Sequence, residues 1–345
     1  MKVSTVFLCG DRSPYGLAHL DAIAENFDLK ALIVPDKARW AHFRSALSGG
    51  QTFVHLNTTI RWTQKLKHFA KLPLIFAREM RHQKKLKLTG EPIFVLNDVN
   101  SPDSLRLIKS LNPQILLAAA YPQIFKKQLL DIAPGGAINF HPSLLPRCRG
   151  AHPHYWCLAT GEKLGGITAH YMTEKIDDGD ILAQRSFELN GLYYHDLYRK
   201  IIEETPHLVS MVAAFLTDKR ATPIPQDERL VTLFRNDREI HWRLDFCQMT
   251  ASQLHNRIRA GRAYGLFRGK RTGIDFAEVA TNNRHTTNRV YIPPGIITDI
   301  DSNGVWVATQ DCQFLIVLKL NDSGRLRHFS KWVSNNKVQI GERFE

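Results

Sequence analysis

QILLAAAYPQIFKKQLLDIAPGGAINFH, residues 114–141, contains two apolar runs separated by a mixed segment. The first, QILLAAA at 114–120, is apolar without alternation, the pattern of a strand buried on both faces of a parallel sheet. The second, GAINF at 136–140, ends on a polar pair, Asn139 and His141. Upstream, VSTVFLC (3–9) reads as a strand stopped by Gly10. A helical pattern on Leu17, Leu20, Ile23 and Ala24 follows, and then a second strand, LKALIVP (29–35). PIFVL (92–96) resumes the unit. Ser101-Pro102 opens a helix with Leu105, Ile108 and Leu111 on one face, and Pro suits the first helical position. GITAHYM (166–172) predicts another strand, and Leu197, Ile201, Ile202, Leu208 and Val212 mark a long amphipathic helix. This alternation predicts an α/β fold with a doubly wound, mostly parallel sheet, which takes ligands at the C-terminal ends of its strands. Asn139 and His141 stand at such an end.

Beyond this unit the pattern changes. Residues 217–239 are polar and Pro-containing and read as a linker. Thr250-Ala-Ser-Gln253 is a capping-box pattern ahead of Leu254 and Ile258. GIITDI, a D-S-N-G turn at 301–304, VWVAT and FLIVLKL then predict a small β-barrel or curled sheet. A chain of 345 residues suits two domains. The expected limits are a first domain at 1–216, the linker at 217–239 and a β-barrel-like C-terminal domain at 240–345.

The net charge of +13 is local. Between Lys37 and Gly90 there are 12 Lys and Arg against one acid, Glu79, with Trp40, Phe43, Trp62 and Phe69 among them. Such a segment suits a docking surface for something anionic, and equally a solvated basic helix with a buried apolar face. Residues 61–87 can be read as that helix, which Pro73 would break or kink. Cys9, Cys148, Cys157, Cys247 and Cys312 are scattered, with no CxxC pair and no spacing suited to a metal. MKVSTVFLCG reads as a first strand, not a signal peptide, and no apolar stretch is long enough to span a membrane. Together these features predict a soluble, cytoplasmic protein without a bound metal.

Several chemistries are excluded. The turn from Gly10 to Gly16 lacks the GxGxxG spacing, which argues against a nicotinamide dehydrogenase. GxxxxGK[ST], GxSxG and HExxH are all absent. Asn139 and His141, two apart on an extended segment, can point the same way. Lys175-Ile-Asp177-Asp178-Gly179-Asp180 forms an acidic turn after another strand. Taken apart, the N-x-H pair also reads as a strand-end hydrogen-bonding pair, and the acidic turn as a solvated loop or weak cation site. Taken together, an amide, an imidazole and a carboxylate suit acyl transfer to an amine without a covalent intermediate.

These residues resemble the 10-formyltetrahydrofolate-dependent formyltransferases. That family carries N-x-H-x-S-L-L-P-x-x-R-G, then a T-G-V-T segment, then a D-x-G-D/x turn. This chain has Asn139-Phe-His141-Pro-Ser143-Leu-Leu-Pro146-Arg-Cys-Arg149-Gly150, Gly165-Gly-Ile-Thr168, and Asp177-Asp-Gly179-Asp180. The resemblance implies a Rossmann-like formyltransferase domain with Asn139, His141 and Asp177 as catalytic residues. It implies 10-formyltetrahydrofolate as co-substrate, with Ala119, Ala120, Tyr121 and Ile124 as a folate-binding wall and Thr173 to Ile176 over the pteridine. Ser143, Arg147 and Arg149 would line the acceptor's approach, while His152 and His154 receive no role. Ile240-His-Trp242 and Leu254-His-Asn256-Arg-Ile258-Arg-Ala260 resemble the start of the family's C-terminal domain, and 294–309 its barrel strands. Purine-pathway members lack that domain.

The resemblance implies formyl transfer to a primary amine, with methionyl-tRNA as acceptor, held through segment 37–90 and the C-terminal domain. The alternative acceptors are a nucleotide-linked amino sugar or another small or carrier-bound amine. One departure keeps them open: Pro35-Asp36-Lys37-Ala-Arg39-Trp40 stands where tRNA-directed members carry a P-D-R-P-A-G-R-G loop. A folate- or RNA-binding protein without catalysis is the reading from another class, and all three catalytic positions are occupied as in the family.

Overall fold

The computed structural model describes residues 2–10, 14–35, 53–55, 91–280, 291–322 and 325–345. The basic segment 37–90 lies outside the described residues apart from 53–55. Contacts group the chain into two compact units. One comprises Met1–Pro146, Gly166–Ser186 and Lys200–Val231, the other Arg147–Gly165, Phe187–Arg199 and Thr232–Glu345.

The first unit is built on an eight-stranded sheet: β1 (Ser4–Cys9), β2 (Asp28–Pro35), β3 (Phe53–His55), β4 (Ile93–Leu96), β5 (Ile115–Ala119), β6 (Ala137–His141), β8 (Leu164–Tyr171) and β9 (Ile181–Glu188). β7 (Arg149–Gly150) belongs to the other unit. The spatial order is β3-β4-β2-β1-β5-β6-β8-β9. Every pair from β3 to β6 is parallel, and β8 runs antiparallel to β6. All four residues of β4 and all five of β5 are buried, which is why the sequence shows runs there and no alternation. Between β1 and β5 the chain reverses its progress across the sheet, the switch point at which open α/β sheets bind ligands. Gly10 ends β1 there; a Cβ on it would lie 2.1 Å from the Ala120 carbonyl oxygen, so only glycine allows this approach.

Helix α1 (Pro14–Asn26) packs Tyr15, His19, Leu20 and Ile23 inward. In α2 (Pro102–Ser110) the Ser101 hydroxyl caps the Ser104 amide and Pro102 starts the helix. Ile108 is fully buried, and Leu105 and Leu111 pack on the same core. α3 is the single turn Lys127–Leu130 and α4 is Pro153–Ala159. The long α5 (Tyr194–Thr217) buries Leu197, Ile201, Leu208 and Val212 and leaves Ile202 half-buried.

Segment 217–239 is tied down by pairing. Ile224 and Ile181 exchange two backbone hydrogen bonds of 2.8 Å. β10 (Leu233–Phe234) runs parallel to β7. In the second unit, α6 (Glu239–Trp242) and α7 (Ala251–Arg259) precede a six-stranded antiparallel sheet. It consists of β11 (Tyr264–Phe267), β12 (Lys270–Val279), β13 (Ile297–Ile300), β14 (Val305–Ala308), β15 (Phe314–Asp322) and β16 (Arg325–His328), followed by α8 (Phe329–Asn336). The expected capping box opens α7, with Thr250 and Gln253 bonding reciprocally. Phe344 bridges Phe267 at one sheet edge and Arg343 bridges Ile296 at the other, so the terminal segment joins the two edges of a curled half-barrel. Its core includes Phe246, Phe267, Trp332 and Phe344.

Candidate active site

The site begins where β6 runs out. Side chains alternate along a strand, so Asn139 and His141 share one face and Phe140 takes the other. β8 pairs with β6 in a register that sets His170 opposite Asn139 and Thr168 opposite His141. Directly opposed residues on an antiparallel pair lie close enough for their side chains to interact, so four polar side chains converge on one face. On the other face Phe140 is buried, and its carbonyl accepts a hydrogen bond of 2.8 Å from the Tyr15 hydroxyl. His19 packs edge-on against Tyr15, with ring centroids 4.4 Å apart, and donates from Nδ1 to the Tyr15 carbonyl at 2.8 Å. Burial pulls the His19 pKa from 6.5 down to about 4, so this supporting imidazole is neutral.

Asp177 comes from the loop between β8 and β9. Its Oδ1 lies 3.4 Å from Asn139 Nδ2 and 3.5 Å from His170 Nε2; its Oδ2 lies 3.5 Å from His141 Nδ1. Two of the three side chains around it are well shielded, His141 and His170 being 5% and 2% exposed, while Asn139 is half-buried and Asp177 itself keeps 14%. Contacts of this length tighten when reacting groups arrive. His170 Nδ1 sits 2.8 Å from the Tyr171 carbonyl, which places its proton on Nδ1 and leaves the Nε2 lone pair facing Asn139 Nδ2 at 3.2 Å. Thr168 braces the turn after His141: its hydroxyl donates to Ser143 O at 2.7 Å and accepts from the Leu145 amide at 3.1 Å.

The loop carrying Asp177 is strained and clamped. Asp177 has φ +52°, a left-handed conformation unusual for a residue other than glycine. The Gln226 side-chain amide donates to the carbonyls of Asp177 and Gly179, both at 2.8 Å. A Cβ on Gly179 would lie 2.0 Å from Tyr171 O, so the turn closes only with glycine there. The Thr173 hydroxyl donates to the Asp178 carboxylate and accepts from the Lys175 amide at 3.0 Å.

The remaining residues named from the sequence fall as follows. Ala119 is buried at the end of β5, Ala120 follows in a left-handed conformation with φ +49°, and Tyr121 is half-buried. The Tyr121 hydroxyl has no hydrogen-bond partner among the described residues, and burial pushes its pKa well up. Ile124 and Ile176 are 66% and 50% exposed, and Thr173 is exposed. Ser143 is fully buried. Arg147 and Arg149 fall in the second unit, Arg147 paired with Glu162 at 3.2 Å and Arg149 buried on β7.

His152, also in the second unit, bonds the buried Asp237 carboxylate, which Trp242 Nε1 and Arg262 also approach. Burial alone would raise the Asp237 pKa; hydrogen bonds from His152 and Trp242 outweigh it and hold it low. His154 Nε2 meets the Tyr194 hydroxyl at 3.0 Å. His170 and Gln226 were absent from the sequence reading. His170 had a signal, being two residues from Thr168 on one strand face. Gln226 had none, because both its acceptors are backbone carbonyls.

Among the described residues no group of three His, Cys, Asp or Glu side chains is arranged to hold a metal, and no helix is long and apolar enough to cross a membrane.

Known proteins share the sequence pattern and the fold of this chain. The family model described as formyl transferase matches residues 30–212, and that of the formyl transferase C-terminal domain matches 237–334. The methionyl-tRNA formyltransferase of Borrelia hermsii is 32% identical over 268 residues, 75% of this chain and 84% of that protein. Among solved structures, HypX from Aquifex aeolicus in complex with tetrahydrofolic acid superposes with a TM-score of 0.57 at 14% identity. The match covers 99% of this chain and 49% of that one, so this chain spans about half of HypX. An N-formyltransferase from Helicobacter canadensis, in complex with folinic acid and dTDP-3-aminofucose, superposes with a TM-score of 0.57 at 16% identity, covering 91% and 98%. These two likenesses bear on the fold, and the family-model match over more than half of the chain bears on descent. With an amide, an imidazole and a carboxylate gathered at the end of a doubly wound sheet, and a curled β domain after it, the chain belongs to the formyl transferase family.

Proposed function

We propose that this protein transfers the formyl group of 10-formyltetrahydrofolate to a primary amine, with methionyl-tRNA as the acceptor. The observation that carries the reaction is the Asp177 carboxylate, within 3.5 Å of Asn139, His141 and His170 at one strand end. The amine attacks the formyl carbon, forming the new C–N bond. Asn139 Nδ2 and His141 donate to the oxyanion of the tetrahedral intermediate, each such donor being worth on the order of 10²–10³ in rate. Asp177 takes the amine proton, directly or through His141, and the bond from the formyl carbon to the folate nitrogen breaks as that nitrogen is protonated. His170 accepts from Asn139 and fixes which way its amide donors point.

The switch-point crevice suits a folate. Ala119 ends β5 and Ala120 and Tyr121 follow it, and the exposed apolar side chains of Ile124 and Ile176 offer surface to a pteridine; Thr173 belongs to the same loop as Ile176. Ser143, Arg147 and Arg149 are assigned to the acceptor's approach. Domain limits of 1–216 for catalysis, 217–239 for the connection and 240–345 for the C-terminal domain accompany this reading. The tRNA assignment rests on relatives named methionyl-tRNA formyltransferase and on the basic character of 37–90. A nucleotide-linked amino sugar is the second reading, favoured by the Pro35–Trp40 departure. The test follows tetrahydrofolate release with methionyl-tRNA and with a panel of nucleotide-linked amino sugars. Turnover with the tRNA alone upholds the assignment, and turnover with a sugar alone replaces it.

A further inference from the structure

We propose that Gln226, 49 residues downstream of Asp177, is the positioning residue that holds the catalytic carboxylate in place. The inference rests on the reading of Asp177 as the proton acceptor. Asp177 sits in the left-handed region, uncommon for a residue with a side chain, in a loop that carries no strand or helix of its own between β8 and β9. Its carboxylate contacts with Asn139, His141 and His170, at 3.4–3.5 Å, are long for hydrogen bonds, whereas those of its loop to Gln226 are short.

The Gln226 amide nitrogen has two hydrogens, and the carbonyls of Asp177 and Gly179 each take one at 2.8 Å. A primary amide is a compact group that can serve two converging carbonyls at once. The clamp is itself anchored: Ile224 exchanges two backbone bonds with Ile181, the first residue of β9. The loop from Asp177 to Ile181 is therefore held at both ends by residues 224–226. With Gln226 lost, both carbonyls are left without that donor and the loop can relax from φ +52°, carrying the carboxylate off the approaching amine.

The test compares full-length Gln226→Glu and Gln226→Met, near-isosteric and without the donors, with Gln226→Asn, which keeps them on a shorter arm. Turnover is measured with 10-formyltetrahydrofolate and methionyl-tRNA. The expected result for Glu and Met is a kcat loss of about 10- to 100-fold, as misplacement by ~1 Å can cause. The KM for the folate should hold within about threefold and thermal melting should change little, with Asn recovering part of the rate. A double variant with Asp177→Asn should be no slower than Asp177→Asn alone, since both act through one carboxylate. Wild-type kcat in the Glu and Met variants, or losses that multiply in the double variant, would overturn the proposal. Should Asp177→Asn itself turn over at the wild-type rate, the catalytic reading fails as well, and that outcome is told apart by the single variant.

Discussion

Asp177 answers to an amide and two imidazoles at once, and replacing it with Asn removes the charge while keeping the shape. A carboxylate acting as proton acceptor is worth about 10²–10⁴ in rate, so Asp177→Asn is expected to lose at least 100-fold in kcat with an intact fold. Steady-state kinetics beside a circular-dichroism melt checks this. His170→Ala leaves Asn139 Nδ2 without its 3.2 Å acceptor, and a smaller loss, about 10-fold, is expected in the same assay.

His19 makes a different prediction, about stability. Its folded pKa of about 4 lies below the unfolded value of 6.5. The unfolded chain therefore takes up the proton first as pH falls. His19 contributes full stability above about pH 6.5 and loses it progressively toward pH 4, about 3 kcal/mol in all, most of it by pH 4.5. Denaturant melts at pH 7 and pH 4.5 should converge by roughly that amount in His19→Leu relative to the parent protein. An unchanged gap would show that His19 does not titrate on unfolding.

At the scale of elements, what the sequence shows depends on what buries each segment. β5 was readable because a strand covered on both faces leaves a continuous apolar run, and α2 and α7 because their caps use local side chains. The opposition of His170 to Asn139 was not readable, because register between β6 and β8 comes from tertiary pairing and not from either strand alone. The loop after β8 is equally tertiary. Gly179→Ala would put a methyl group 2.0 Å from Tyr171 O, so the loop must shift and Asp177 with it. Loss of most turnover is expected, by 10-fold or more, the scale at which misplacement costs rate. In the second unit, Phe344 joins two sheet edges and is fully buried. Phe344→Ala should destabilise that unit by about 3–5 kcal/mol, read from its denaturant transition.

For the whole molecule, charge is the property that bears on the acceptor. If the acceptor is a tRNA, as proposed, the 12 Lys and Arg between Lys37 and Gly90 would neutralise its phosphates and release counterions. With a tRNA acceptor, kcat/KM should fall steeply between about 50 and 200 mM salt, and charge reversal within 37–90 should flatten that slope. A response already flat in the parent protein would point to a small acceptor.

The sequence alone determined the fold class, the spacing of Asn139, His141 and Asp177, and the family, because each is written in local patterns: apolar periodicity, caps and a motif of fixed order. The tertiary structure alone decided that His170 faces Asn139, that Tyr15 supports Phe140 from the opposite face, and that Gln226 grips the Asp177 loop. Those contacts span 31, 125 and 49 residues, and two of them end on backbone carbonyls. Every residue carries such a carbonyl, so no side-chain pattern marks it, and only the folded chain brings the donor to it.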